Sequence, residues 1–272
     1  MRKHLNILIV FIAVILSVTC YPKYASAKED ITITDWIIHA YLNESGALNI
    51  SEDITFEFNE KFNGVYRDLI LSDKYKLSEI KVDEISKGGL ISYKQAENAK
   101  NGDKGVFTLE KKKNQTVIKI YSPSENETKT FKISYVINNL AVKYKDTGEL
   151  YYKFLGDENE TPIGNFTVYI GLPDNTGRDK VKVFVHGPSN SKINQIINSE
   201  YPLMYKLQAT EVPSETRFEA RILFPPQYLS KSDNYINIDA YQKIINDETE
   251  LQKSIENARM KKKFINGVLN QI

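Results

Sequence analysis

Hydrophobic and polar residues alternate along most of the chain between residues 31 and 224. The clearest example is the segment in which Leu48, Ile50, Ile54, Phe56 and Phe58 share one face, while the opposite face is polar. A period of two over this length is typical of a half-buried antiparallel strand. The pattern therefore predicts β structure as the main architecture of the chain.

Turn signals separate the alternating segments. Residues 43–46, Asn-Glu-Ser-Gly, join the strand-like segment 31–42 to the one that begins at Leu48, and Gly46 suits a hairpin position with positive φ. Further strands are expected within residues 64–71, 80–85, 90–93, 106–109, 117–121, 131–137, 166–172, 181–185 and 218–224.

The spacing of these strands predicts two small antiparallel β-sandwich domains. The first is expected over residues 28–140 and the second over residues 141–238, with a soft boundary near residues 138–145. Pro225 and Pro226 close the strand pattern, because proline has no backbone N–H to donate to a ladder. We therefore expect an all-β body that is followed by a different kind of structure.

Residues 239–272 show helical periodicity and form the predicted long C-terminal α-helix, a stalk or linker. Asp239 is the expected N-cap, and three lysines, Lys261 to Lys263, either meet anionic head groups or form a solvated face. The helix either packs on the β body, projects as a stalk or weak coiled coil, or frays. Its seam has spacings of four and three: Ile244, Glu248, Leu251, Ile255, Ala258, Lys262, Ile265, Leu269 and Ile272.

The first 27 residues have the pattern of a secretory signal peptide. Arg2, Lys3 and His4 precede an apolar run over residues 5–18, and Ala-Ser-Ala at 25–27 resembles a cleavage site. The run of about 14 residues is short for a membrane span, which needs roughly 20. We expect export of the chain, with cleavage after position 27.

The charge and cysteine content change after such cleavage. Removing Arg2, Lys3 and Lys23 from 36 basic residues against 35 acidic ones leaves a net charge of −2. This near-neutral balance argues against nucleic acid as a partner. Cys20 is the single cysteine, so the product would contain no disulfide. Thr19 fits poorly before a lipidated cysteine, which favours simple cleavage over lipidation.

Several segments resemble one bacterial family. Residues 50–58, Ile-Ser-Glu-Asp-Ile-Thr-Phe-Glu-Phe, are followed at 62–68 by Phe-Asn-Gly-Val-Tyr-Arg-Asp. Together with segments 131–136, 146–154 and 218–225, this order is similar to the predicted membrane proteins defined by domain of unknown function 2207. The resemblance covers residues 30–226.

The resemblance implies an exported protein whose extracytoplasmic β domain precedes transmembrane helices, often with a flexible Gly-rich tail. It implies no catalytic residue, since the activity of the family is unknown. This sequence reaches Ile272 before any transmembrane segment, and residues 239–272 resemble the linker that would precede the membrane helix. The expectation is either a fragment or a shorter secreted variant.

Glu52 is the odd residue on an apolar strand face. A buried carboxylate needs a partner, because an unpaired buried charge is costly. Arg67, on the neighbouring Gly-Val-Tyr-Arg segment, is the natural candidate, and we predict a Glu52–Arg67 ion pair. The pair either fixes strand register or contributes to a binding site. Gly64 is expected at a turn or a close approach.

Tyr144, Tyr151 and Tyr152 cluster near the predicted boundary. Aromatic groups at a domain junction can stack on sugars or bind peptides, and they can equally be packing. These three tyrosines are the candidate aromatic binding surface.

Other chemistry has weak support in the sequence. The acidic residues 157–160 offer oxygen ligands for calcium but lack the spacing of an EF-hand, so a solvated turn is expected. His39 and His186 have no cysteine partner and no His-Glu-x-x-His motif, which argues against zinc. We expect no cofactor, no metal and no catalytic residue.

Three functions follow from these patterns. The first is a non-enzymatic module of the cell envelope that binds an unknown envelope protein or glycan, tethered to the membrane through segments absent from this chain. The second is a freely secreted adhesin or glycan-binding module. The third is a hydrolase, which would need two carboxylates about 5–10 Å apart in one cleft.

Overall fold

The computed structural model describes residues 29–72, 75–196 and 201–269, with the side chains of 258, 259 and 261–269 excepted. The predictions of a signal peptide and of the fate of Cys20 therefore lie outside the described residues. The prediction for Lys261 to Lys263 concerns side chains that also lie outside the described part.

The described chain contains seventeen strands, two 3₁₀ turns and one α-helix. The 3₁₀ turns are Arg178–Lys180 and Pro226–Leu229, and the helix, α1, is Tyr241–Leu269. The strands are β1 Ile31–Leu42, β2 Leu48–Phe58, β3 Phe62–Ile70, β4 Lys76–Ser86, β5 Gly89–Ser92, β6 Lys94–Gln95, β7 Val106–Lys112, β8 Gln115–Ser124, β9 Glu127–Asn138, β10 Val142–Tyr144, β11 Gly148–Leu155, β12 Ile163–Leu172, β13 Lys182–His186, β14 Lys192–Ile196, β15 Leu203–Val212, β16 Phe218–Phe224 and β17 Tyr235–Ile236.

The strands form three sheets. The largest has the order β14-β15-β12-β1-β2-β9-β4-β5, the second β13-β16-β11-β10-β17 and the third β3-β8-β7-β6. Each sheet contains one parallel pair, namely β1 with β12, β10 with β17 and β6 with β7. The body is thus mostly β, as expected, but its sheets are mixed rather than antiparallel.

The parallel pair in the largest sheet explains the difference from two antiparallel sandwiches. β1 pairs with β2 on one side and with β12 on the other, so that Ile38 lies opposite both Glu52 and Val168. The sheet therefore takes strands from both sides of the boundary predicted near residues 138–145. Alternation along a strand reports which face is buried, but not which distant strand pairs in parallel.

The apolar faces of the three sheets meet in one core. Ile38 of β1 and Phe166 of β12 are fully buried, and they belong to the same cluster as Ile118 of β8 and Ile222 of β16. The described residues contain no disulfide that could hold this cluster together. Burial of apolar surface stabilises it instead, by about 25 cal/mol for each Å² removed from water.

Gly64 allows β3 to approach β8 closely, as the sequence suggested. A Cβ atom at this position would lie 1.9 Å from the carbonyl oxygen of Ile120, which is backbone and has little room to move. We expect Gly64→Ala to lower the free energy of unfolding by about 1–3 kcal/mol, because β3 must shift to relieve the overlap. Urea denaturation measures this. Gly88→Ala is the control, since its φ is not positive and the nearest atom to its added Cβ is Ser86 Oγ at 3.9 Å, an ordinary contact; equal losses in both variants would contradict the close-approach argument.

The N-terminus of α1 is capped by a residue from a distant turn. Asp146 accepts hydrogen bonds from the backbone N–H of Ala240 at 2.8 Å and of Tyr241 at 3.1 Å. Asp239, the predicted N-cap, instead forms an exposed ion pair with Lys145 at 3.3 Å. The prediction of Asp239 as the cap is therefore wrong, because a carboxylate from another segment reaches the free N–H groups of the first turn.

Only the first two turns of α1 contact the β body through buried residues. Ala240, Ile244 and Glu248 are 5%, 6% and 1% exposed, and the two apolar ones pack on Leu223 of β16. Residues 249–257 are all exposed. The helix thus docks through its first turns and is then exposed over residues 249–257, a length of about 13 Å at 1.5 Å per residue.

Candidate functional site

A buried carboxylate lies at the centre of the body. Glu52 on β2 is fully buried, on the same face as the apolar residues Ile50 and Ile54. Arg67 enters from β3 and is 4% exposed. The structure therefore brings the predicted pair together, and it places that pair between the first and third sheets.

Glu52 accepts four hydrogen bonds, enough to satisfy both of its oxygens. Arg67 donates from Nε to Oε2 and from Nη2 to Oε1, each at 2.8 Å. Trp36 Nε1 donates to Oε2 at 3.0 Å, and the hydroxyl of Tyr135 donates to Oε1. This bidentate, charge-assisted geometry is the arrangement in which a buried ion pair is best compensated.

The guanidinium of Arg67 is held on all sides. Its Nη1 donates to the carbonyl of Asp68 at 2.6 Å, its Nη2 also donates to the carbonyl of Phe154 at 2.9 Å, and its Cζ lies 4.7 Å from the centre of the Trp36 ring. Burial is the largest single influence and acts to lower the pKa of Arg67. The charge and hydrogen bonds of Glu52 and the nearby tyrosines together outweigh it, and the pKa is raised above its usual value. Arg67 is therefore cationic at every relevant pH.

Two tyrosines complete the buried network. The hydroxyl groups of Tyr135 and Tyr152 lie 3.5 Å apart, and both residues are buried. Burial raises the pKa of Tyr135 well above 10, and the neighbouring charge of Glu52 adds to this effect. Burial also raises the pKa of Tyr152, to about 12. Both rings therefore stay neutral while the protein is folded.

We expect stability to fall as the pH rises from about 10 to about 12. An unfolded tyrosine loses its proton near pH 10, whereas folded Tyr152, Tyr144 and Tyr151 hold theirs to about pH 12. Their contribution is complete below pH 10 and is lost as the pH passes through the folded pKa, since the unfolded state then binds fewer protons. Urea denaturation across this range, followed by tyrosinate absorbance, measures the loss. Tyr152→Phe should reduce the slope, and an unchanged slope would contradict the assignment.

The three tyrosines of the predicted aromatic surface do not share one surface. Tyr152 is 4% exposed and points into the core, because its neighbour Tyr151 occupies the opposite face of the same strand. Tyr144 and Tyr151 lie on the outer face, where their hydroxyls donate to Glu149 at 3.1 Å and to Glu219 at 2.6 Å. The prediction of a single aromatic patch from these residues is therefore wrong. Tyr152 is a core residue, whereas Tyr144 and Tyr151 are hydrogen-bonded to carboxylates on the outer face.

A second charged network lies under α1, and the sequence analysis missed it. Glu248 of the helix bonds His186 Nε2 at 2.8 Å and accepts from Arg221 Nη1 at 2.8 Å. Arg221 Nε also lies 2.9 Å from an oxygen of Glu149 as an ion pair, although not in hydrogen-bonding geometry. We call Glu248, His186, Arg221 and Glu149 the helix clamp. The available signal was the charge of Glu248, which with Lys262 is one of two charged residues in a mostly apolar seam.

A groove of about 420 Å³ lies beside the Glu52–Arg67 pair. Its floor is formed by inner-face residues of β1 and β2, including Ile33, Trp36 and Phe56, and one wall is the strand β3. The segment after β11 forms the opposite rim with Glu158 and Glu160. We call this cleft the edge groove. Its volume falls within the range of ligand pockets, roughly 300–1,000 Å³.

The acidic segment 157–160 is largely exposed and begins with a turn, as the sequence suggested, and its residues 158–160 border the cleft. Within the described ranges, no cluster of His, Cys, Asp and Glu has an arrangement that would hold a metal ion. His39 lies on the outer face of the largest sheet, stacked on Tyr169 with ring centres 5.0 Å apart. His186 belongs to the helix clamp.

The fold and this site define a mixed β domain that is built around a buried Glu–Arg pair and carries a docked C-terminal helix. Residues 32–224 match the family model described as "Predicted membrane protein (DUF2207) N-terminal domain". The chain belongs to this family. Among the described residues, no helix combines the length and the apolar character that a membrane crossing requires.

Solved structures with similar shapes share little sequence with this chain. A putative protease from Parabacteroides distasonis ATCC 8503 is 8% identical with a TM-score of 0.45, over 72% of this chain and 41% of that one. An M1 zinc metallopeptidase from Deinococcus radiodurans is 12% identical with a TM-score of 0.38, over 71% and 42%. Native yeast LTA4 hydrolase is 15% identical with a TM-score of 0.43, over 75% and 31%. The chain thus spans less than half of the length of each of these three proteins. No curated protein matches it in sequence.

Proposed function

We propose that the chain is a non-enzymatic, exported module of the cell envelope, used for binding or scaffolding outside the cytoplasmic membrane. In this proposal it forms the extracytoplasmic part of a membrane-anchored protein. The family assignment supports a membrane context. The partner class is an envelope protein or a glycan.

The observation that carries this proposal is the arrangement of α1. The helix is fixed to the β body by the cap at Asp146 and by Glu248, and the residues that follow, 249–257, are exposed. A helix that is anchored at one end and solvated beyond it is suited to connect a folded body to another part of a protein. Its polar composition is compatible with a position next to a membrane rather than inside it.

Fractionation of the native organism, followed by intact mass measurement, tests this proposal. We expect the protein in a membrane fraction that resists high salt, with a mass above that of residues 28–272. A soluble product that consists of residues 28–272 alone would overturn the anchored arrangement.

A second candidate function is a secreted glycan-binding module, and one observation favours it. Four rings form two stacked pairs on the outer face of the largest sheet: His39 on Tyr169 at 5.0 Å and Tyr41 on Tyr201 at 4.0 Å between ring centres. Grouped aromatic rings are suited to contact with sugar faces. Retention of the purified protein on isolated cell wall, lost in Tyr169→Ala, would support this function; equal retention of both proteins would remove it.

A further inference from the structure

We propose that the edge groove binds an extended polypeptide segment that adds to the free edge of β3, with apolar side chains on the groove floor and a lysine or arginine at the acidic rim. This proposal rests on the binding role proposed above and names the class of partner.

The backbone of β3 offers the first contact. β3 is the end strand of the third sheet, and among the described residues it forms ladder pairs with β8 alone. In an antiparallel pair, alternate residues point their N–H and C=O groups away from the partner strand. Gly64, Tyr66 and Asp68 line the groove on this side, although the carbonyl of Asp68 already accepts from Arg67. A free strand edge of this kind is a template for an added strand.

The floor of the groove explains why a polypeptide with apolar side chains fits. Two partly exposed apolar residues, Ile31 and Phe62, line it together with Ile33, Trp36, Ile54 and Phe56, each of which is at most 4% exposed. Trp36 is fixed by its bond to Glu52, so the floor is held in place by the buried ion pair. In an added strand, every second side chain would point toward this surface, since side chains alternate along a strand.

The charges of the rim specify the remaining chemistry. Among the described residues that line the groove there are three carboxylates, Asp68, Glu158 and Glu160, and no lysine or arginine. Lys119 lies on the neighbouring strand with its Nζ 5.2 Å from the ring centre of Tyr66, but it does not line the groove. A basic side chain on the bound segment would complement this rim.

A synthetic peptide tests the proposal directly. The probe alternates valine and threonine and carries a lysine at each end, and it is titrated into the exported protein. Trp36 is the single tryptophan of the chain and lines the groove, so its fluorescence reports occupancy. We expect a saturable fluorescence change, together with slower hydrogen exchange at the backbone of residues 63–67.

Two N-methylated versions of the peptide separate strand addition from simple apolar binding. Methylation of alternate backbone nitrogens blocks hydrogen bonds along one edge of the peptide and leaves the other edge intact. We expect one version to lose binding and the other to retain it, since only one edge would pair with β3. Equal binding of both versions, or no fluorescence change with any peptide, would overturn the proposal.

Variants of the rim test the charge complementarity. The double variant Glu158→Gln with Glu160→Gln should weaken binding about three- to tenfold, the range expected for exposed charge pairs. Asp157→Asn is the matched control, because Asp157 is an exposed neighbour that does not line the groove. Equal weakening by the control would contradict the assignment of the rim.

A second copy of the chain is the competing occupant of the free edge of β3. If sedimentation shows a dimer that excludes the peptide and protects residues 63–67 from exchange, a second copy of the chain occupies β3 and the partner proposal is wrong. Neither result affects the fractionation test, so failure of the groove and failure of the anchored arrangement are distinguishable.

Discussion

Replacing Glu52 by glutamine will lower the free energy of unfolding by about 3–5 kcal/mol, the range expected when one partner of a buried ion pair is removed. Arg67 would stay buried and charged, because its guanidinium is 4% exposed and its pKa is raised above its usual value. The amide would also replace a charged acceptor of four hydrogen bonds by a neutral group. Urea denaturation with unchanged m-value measures the loss.

The neighbouring residue on the same strand provides a matched control. Asp53 pairs with Lys132 at 2.7 Å on the opposite face, where both side chains are about one-quarter exposed. Asp53→Asn should change the free energy of unfolding by less than about 1 kcal/mol, because solvent screens such pairs. The double variant Glu52→Leu with Arg67→Met should recover only part of the loss, because Trp36 and Tyr135 would lose their buried acceptor. A loss in Glu52→Gln no greater than that in Asp53→Asn would contradict the role of the pair.

Replacing Glu248 by glutamine will release the first turns of α1 from the β body. Glu248 is 1% exposed and carries the negative charge that faces His186 and Arg221. Without this charge, Arg221 keeps only its ion pair with Glu149. The helix then retains its cap at Asp146 and the apolar contact of Ala240 and Ile244 with Leu223. We expect hydrogen exchange over residues 241–248 to accelerate about ten- to a hundredfold, with the exchange of the sheet core unchanged.

Glu256 is the matched control for this experiment. It lies on the same helix, two turns further on, and is exposed. Glu256→Gln should leave exchange over residues 241–248 as it is in the unchanged protein. If Glu248→Gln also leaves it unchanged, the helix clamp does not hold the helix, and the apolar contact at Ile244 is sufficient.

Local sequence patterns predicted the features that depend on one strand and its neighbour in sequence, namely the buried face of β2 and the partner of Glu52. Alternation along β2 identified the buried face, and the strand has the expected inward pattern at Ile50, Ile54 and Phe56. A carboxylate on such a face is expensive unless paired, and this requirement pointed to Arg67 before the structure was known. The pair could be predicted because its two partners lie on consecutive strands, β2 and β3.

Contacts between distant segments could not be predicted in this way. The pairing of β1 with β12, the cap that Asp146 supplies to α1 and the bond from Arg67 to the carbonyl of Phe154 each join parts of the chain that no local pattern relates. The wrong prediction of one aromatic surface from Tyr144, Tyr151 and Tyr152 has a similar cause. Proximity in sequence suggested one patch, whereas adjacent residues on a strand face opposite sides of the sheet.

The charge of Glu248 was visible in the sequence, but it did not by itself show whether the residue is exposed or buried. A charged residue in an apolar helical seam indicates either an exposed position or a buried partner. Its partners, His186 and Arg221, lie on β13 and β16, which pair with each other in the second sheet. The choice between the two readings needed the position of the helix on that sheet.

The attachment of α1 also determines how the body would respond to mechanical load. A force applied at the far end of the helix reaches the sheet first at Glu248 and then at the capped turn near Asp146. Pulling outward would break these attachments one after another, as in peeling, whereas pulling along the helix axis would strain them together, as in shear. The direction of the pull, more than its size, would therefore decide whether the helix separates while the β body stays folded.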